Sequence, residues 1–377
     1  MHAQMIGSGR DCSVMGPSIV ARAAIALALG AALIGCQPAG ESGGENAARP
    51  ARPTSTQPTS ARPGPSTGVP SPPPAFEPMP VPPENPLTVA KMNLGKKLFF
   101  DNRLSGDGSR SCYSCHVCEK GTTDGLPTAV GAFGKQLPRS SPALWNIGYH
   151  KEFYWDGRSP SLEKQAIGAW TGGNMGADAN AVAASLDAIG GYHDEFMSVF
   201  GTGVTPDAVA AALASFERTI YCGTTAWDRF NQGETDALSP AAQRGWNVWR
   251  EKSGCGTCHA GILFTDLQFH NVGIGMDKKE PDQGRKVASK DDKDTGAFKT
   301  PTLRDISKSA PYFHDGSTAT LEEAVDIMLG GGKPNPWLDS KNLKPVKLSA
   351  EDRSDLIELL RSLSCECDPT PPPLPGL

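Results

Sequence analysis

Residues 111–118 read SCYSCHVC, three cysteines and a histidine within eight positions. Thiols and an imidazole this close together can bind zinc, cycle as a dithiol, cross-link, or hold haem. The inner pattern decides among these, because it occurs twice: Cys112-x-x-Cys115-His116 and Cys255-x-x-Cys258-His259. C-x-x-C-H is the attachment pattern of c-type haem. The two thiols add across the porphyrin vinyl groups, and the adjacent histidine becomes the proximal iron ligand. Zinc suits the spacing less well, since a histidine directly after a ligating cysteine is badly placed for the same tetrahedral ion. A dithiol redox motif has no use for the histidine. The repetition therefore predicts two covalently bound haem c groups on His116 and His259, with Cys118 a bystander.

The elements around these motifs repeat as well. LTVAKMNLGKKLFFD precedes the first and LSPAAQRGWNVWRE precedes the second, each with a capping residue and a helical apolar pattern. Both carry Gly-x-x-aliphatic-aromatic, at Gly95–Phe99 and Gly245–Trp249. Ser239 and Pro240 form an N-cap and N1 pair. A helix leading into C-x-x-C-H is how a small cytochrome c-like domain begins. Further helices are signalled by Thr205-Pro206, by the capping-box pair Thr320 and Glu323 ahead of LEEAVDIML, and by Ser349 before EDRSDLIELLRSL. No alternating strand pattern competes. The expected fold is all-α, two tandem cytochrome c-like haem domains at 85–235 and 236–377.

The first 36 residues read as an export signal. A polar start with Arg10 and Arg22 leads to the apolar run AAIALALGAALIG, short for a membrane span. It ends in Leu33-Ile34-Gly35-Cys36, which resembles a bacterial lipobox and implies a lipid anchor on Cys36, on the periplasmic side of a membrane. Residues 37–84 are rich in Pro, Ser, Thr and Gly and lack the apolar side chains of a core, so they read as a disordered tether. The formal net charge is −5. Without clustered basic residues, nucleic acid is excluded as an expected partner. Of ten cysteines, Cys118, Cys222, Cys365 and Cys367 remain after the signal, the lipobox and the haem pairs. Disulfides are expected among them outside the cytoplasm, and three pairings stay open.

At greater length the chain resembles the bacterial dihaem cytochrome c peroxidase family, which includes the MauG-type enzymes. The resemblance runs over most of residues 85–365, through LGKKLFFDNRLSGDGSRSCYSCH, FYWDGRSPSLEKQA, FTDLQFHNVG and FKTPTLRDISKSAPYFHDGSTATLEEAVDIM. It implies that one haem reduces peroxide at the His116 site while the other, ligated by His259 and Met328, takes electrons from a small cytochrome c or copper protein. By pattern alone Met328 belongs to a core stripe with Leu321, Ala324, Val325 and Leu329. The resemblance further implies Trp155 between the haems, and a calcium ion on the Asn146 side chain and the Ser309 and Pro311 carbonyls. Homodimers are common in the family, and no interface pattern is visible here.

Two departures stand out. The family's removable distal histidine falls at Ala132, leaving the first iron open or held by His150 or His193. The catalytic pair of glutamine and glutamate falls at Gln165 and Asn174. Asparagine hydrogen-bonds but cannot relay a proton; Asp178 is a substitute only if its loop folds back. The leading expectation is thus an exported peroxidase reducing hydrogen peroxide to water. MauG-like oxidation of a partner protein and non-enzymatic electron carriage are the alternatives.

Overall fold

The computed structural model describes residues 68–376. The export signal, Cys36 and the first part of the tether lie outside them. The described chain is mostly helical, with a single two-stranded antiparallel ribbon, and no described helix is long and apolar enough to cross a membrane.

The first core is built from α1 (Val89–Phe100), α2 (Leu162–Thr171), α3 (Ala179–Asp187), α4 (Gly190–Phe200) and α5 (Pro206–Glu217). Thr88 caps α1, and Thr205 with Pro206 starts α5. After the short α6 (Ala226–Asn231), the second core is built from α7 (Pro240–Glu251), α9 (Leu321–Leu329) and α10 (Ala350–Arg361). Between them run β1 (Phe269–His270), the single turn α8 (Lys286–Ser289) and β2 (Phe298–Lys299), with Phe269 opposite Lys299. The capping box at Thr320 and Glu323 and the cap at Ser349 both form, and Leu356, Ile357, Leu360 and Leu363 are buried.

The repeated glycines have a common cause. A Cβ on Gly95 would collide with the Ala212 carbonyl where α1 crosses α5, and one on Gly245 would collide with the Asp355 carbonyl where α7 crosses α10. Each crossing brings a C-x-x-C-H helix onto the last helix of its core. The aromatic four residues on, Phe99 or Trp249, is buried there.

One expectation needs shortening. The tether was drawn to residue 84, yet Phe76 is buried, 5.7 Å from the Tyr149 ring and under the Arg304 guanidinium. Tyr149 Oη also donates to the Glu77 carbonyl. A single aromatic anchor in a proline-rich stretch carries no periodic signal, which is why composition missed it.

The four remaining cysteines pair as Cys118–Cys367 and Cys222–Cys365. Both bridges fasten the tail after α10 to residues that precede α6. The second closes a loop of sequence separation 143, for which chain entropy gives a stabilisation on the order of 4–5 kcal/mol. Replacing Cys222 and Cys365 together by serine should lower the unfolding free energy of the holoprotein by about 2–5 kcal/mol in urea titration. No loss of stability would mean that the tail is held by packing alone.

Candidate active site

Each C-x-x-C-H begins in a one-turn 3-10 helix, Cys112–Ser114 after α1 and Cys255–Thr257 after α7. All four thiols are free of disulfides. Burial pushes the Cys112, Cys115 and Cys255 thiols up, as expected for groups facing an apolar cavity rather than a metal-binding surface.

Both histidines are fixed in the same way. Nδ1 of His116 lies 3.0 Å from the Thr122 carbonyl, and Nδ1 of His259 lies 3.0 Å from the Phe264 carbonyl. A carbonyl only accepts, so Nδ1 carries the proton and Nε2 is left as the ligating lone pair. Burial holds both imidazoles below their ordinary pKa, in the neutral form that binds iron. Next to each lies a cavity of about 310 Å³. Free thiol pairs, oriented imidazoles and apolar walls together fit two covalently attached haems.

The cavities differ in their far walls. The second is lined by His259 and by Met328, which α9 presents while Leu321, Ala324, Val325 and Leu329 fill the core. Methionine opposite histidine raises a haem's potential. The first is lined by His116, Gln165, Asn174 and Met175, and among the described residues His116 is the only histidine in its lining. His150 instead sits with its Nδ1 3.2 Å from Lys299 Nζ, and His193 is bonded to Asp187 on the outer face of α4. Neither fallback ligand reaches the first cavity. Ala132 is buried in the one-turn helix Ala132–Gly134, outside the lining of this cavity, and donates its N–H to the cavity residue Asn174 at its carbonyl, 3.0 Å away. Asp178 does not fold back: its carboxylate caps α3 through the N–H groups of Asn180 and Ala181.

Trp155 lines both cavities. Its indole N–H donates to the Ser140 carbonyl at 2.9 Å, and its own carbonyl accepts from Lys299 N–H at 2.8 Å. The adjacent Asp156 is clamped between Arg139 (2.7 Å) and Arg158 (2.9 Å). The W-D-G-R turn is thus pinned from both halves of the chain, which fixes the ring in the shared wall.

The calcium set fares differently. Both ends of the Asn146 amide are taken up by Cys222: Nδ2 donates to its carbonyl at 2.9 Å and Oδ1 accepts its N–H at 3.1 Å. The Ser309 hydroxyl donates to the Ile306 carbonyl, and none of Asn146, Ser309 and Pro311 lines a described cavity. In this structure the Asn146 amide clamps the Cys222 backbone beside a disulfide.

No sequence pattern points to Glu217, His270 or His314. Glu217 is buried in the first cavity wall at the end of α5. His270 bridges Asp339 (2.6 Å) and Asp266 (3.0 Å) beside the second. His314 stacks on Phe298 at 3.6 Å, and burial holds it down to about 4. Cys258, Asp266 and His270 lie close enough to hold a metal ion, but Cys258 belongs to the haem attachment pair.

A helical chain with two C-x-x-C-H cavities sharing a tryptophan wall defines a dihaem c-type redox protein. The family model for di-haem cytochrome c peroxidase matches residues 89–236. Methylamine utilization protein MauG of Methylorubrum extorquens is 41% identical over 297 residues, 77% of this chain and 82% of that protein. Cytochrome c551 peroxidase of Nitrosomonas europaea is 36% identical, covering 67% of this chain and 77% of the relative. Among solved structures, a MauG-like protein associated with microbial copper homeostasis superposes with a TM-score of 0.72 at 32% identity, over 78% of this chain and 95% of that one. The chain belongs to the dihaem cytochrome c peroxidase/MauG family and is an oxidoreductase of the peroxidase type.

Proposed function

We propose that this chain is an exported dihaem cytochrome c peroxidase. It reduces hydrogen peroxide to water with electrons from a small cytochrome c or copper protein. Residues 85–235 form the peroxidatic domain and residues 236–377 the electron-receiving one. Cys112, Cys115 and His116 hold the first haem; Cys255, Cys258, His259 and Met328 hold the second. Haem bound there would supply electron storage and the redox chemistry of peroxide.

The observation that carries the reading is the asymmetry of the two cavities across Trp155. One has a methionine to complete its site, whereas the other offers Gln165 and Asn174 to a small polar ligand. Gln165 and Asn174 orient peroxide by hydrogen bonds. Trp155 is a conjugated ring bordering both cavities, placed to carry electrons through the wall. The two disulfides fit an oxidising compartment. The lipobox-like Cys36 and the Pro/Ser/Thr-rich residues between it and the buried Phe76 fit a periplasmic lipoprotein on a leash.

The test is steady-state oxidation of reduced small cytochrome c by hydrogen peroxide with the holoprotein, without prior reduction. The reading expects immediate turnover proportional to enzyme. A loaded protein that leaves cytochrome reduced would refute it.

A second reading, peroxide-driven oxidation of a partner protein, is favoured by Trp337. This indole is 44% exposed in the loop after Asn335, whose amide donates to Asn271 next to the cavity residue Val272. Peroxide-dependent cross-linking or oxygenation of a co-purified protein would select it.

A further inference from the structure

The first cavity has lost the family glutamate at Asn174, yet its wall holds another carboxyl group. Glu217, the last residue of α5, is only 6% exposed. It lines the same cavity as His116, Gln165 and Asn174. Its Oε2 is buried with no hydrogen-bond partner among the described residues. The adjacent Arg218 makes no ion pair with it and is turned instead to Glu163 on α2 at 2.7 Å. An unsatisfied buried carboxyl is costly, and such groups are retained where something else occupies them.

The other groups facing this space are already engaged. Asp156 is clamped by Arg139 and Arg158, and Tyr154 donates its hydroxyl to the Gln165 carbonyl at 3.1 Å. Gln165 and Asn174 are amides without a transferable proton. Glu217 is left as the carboxyl in the cavity wall that no hydrogen bond or ion pair engages through its buried Oε2.

We propose that Glu217 is the catalytic acid–base residue of the peroxide site, taking over the task that Asn174 cannot perform. This rests on the peroxidase reading above. Ionised Glu217 takes the proton from one peroxide oxygen and, now a carboxylic acid, returns it to the other as the O–O bond breaks. That oxygen departs as water. The O–O electron pair leaves with that water, and the oxygen left behind, which bound haem would hold, is two electrons short; it departs as a second water after two electrons from the redox-protein donor and two protons from solvent, so peroxide is reduced and the donor oxidised by two electrons.

Burial pushes the Glu217 carboxyl up to about 8, partly offset by Arg218 and reinforced by Glu163. Proton abstraction needs the ionised form, so the rate should rise with pH as this group titrates.

The experiment uses the holoprotein with Glu217→Gln and Glu217→Asp. Three readouts are taken, of which two are rates: the rate at which peroxide alone changes the absorption spectrum, and steady-state oxidation of reduced cytochrome c. A third is the infrared carbonyl band of a buried protonated carboxyl across pH. Glu217→Gln should load both haems, slow the peroxide reaction by about 10²–10⁴-fold, lose the rising pH limb and lose the carbonyl band. Glu217→Asp should restore part of the rate and the limb. If Glu217→Gln reacts with peroxide like the wild type, or keeps the pH limb, Glu217 is not the acid–base group. A wild type whose spectrum responds to peroxide through Glu217 but which oxidises no cytochrome overturns only the peroxidase reading.

Discussion

Replacing His116 by alanine is expected to abolish peroxide turnover while leaving the second site loaded and reducible. The imidazole is locked at Nδ1 by the Thr122 carbonyl and kept neutral by burial, so its Nε2 has one role, toward the iron. Disturbing a group that merely orients such a ligand costs roughly 10–100-fold. Removing the ligand itself should cost more. Cys112 and Cys115 remain free to attach the porphyrin, and His116 does not line the second cavity. The measurement is haem content by absorption together with peroxide-dependent oxidation of cytochrome c. Turnover that survives in a protein shown to carry two haems would move the peroxide site away from the first cavity.

The second large effect is on the other haem. Met328→Ala should lower its midpoint potential by on the order of a hundred millivolts, because axial-ligand identity is the strongest lever a protein has on haem potential. Its neighbours on α9 are already buried in the core, so a shorter side chain at 328 changes the cavity more than the helix. Donor-driven turnover should collapse, while the first cavity, which Met328 does not line, keeps its spectral response to peroxide. Spectroelectrochemical titration of wild type and variant decides this. Unchanged potentials would show that Met328 is core, as its helical stripe alone suggests.

What the sequence could show, and what it could not, divides along physical lines. Cys112–His116 and Cys255–His259 are contiguous, so their chemistry is written in local spacing. The caps at Thr205, Ser239, Thr320 and Ser349 are equally local and all form. The paired Gly95 and Gly245 were visible as a repeat, but their cause, two close helix crossings, needed the packing. Met328 looked like core by periodicity, and only a resemblance pointed it at a haem. Groups that matter through distant partners left no trace. Cys118–Cys367 and Cys222–Cys365 were one of three pairings, and Phe76 reaches Arg304 across most of the chain. Glu217 sits in an alanine-rich helix where a polar residue reads as solvent-facing. Its importance comes from Arg218 turning away to Glu163, which no pattern on α5 reveals.

The central claim is that two sites of unlike chemistry communicate through Trp155. The most direct test is rapid mixing of peroxide with holoprotein whose second site has been reduced beforehand, in wild type and Trp155→Phe, following the second site's absorption. The account predicts prompt reoxidation of the second site in the wild type and markedly slower reoxidation in the variant at equal haem content. A second site that stays reduced in the wild type while peroxide is consumed would contradict it.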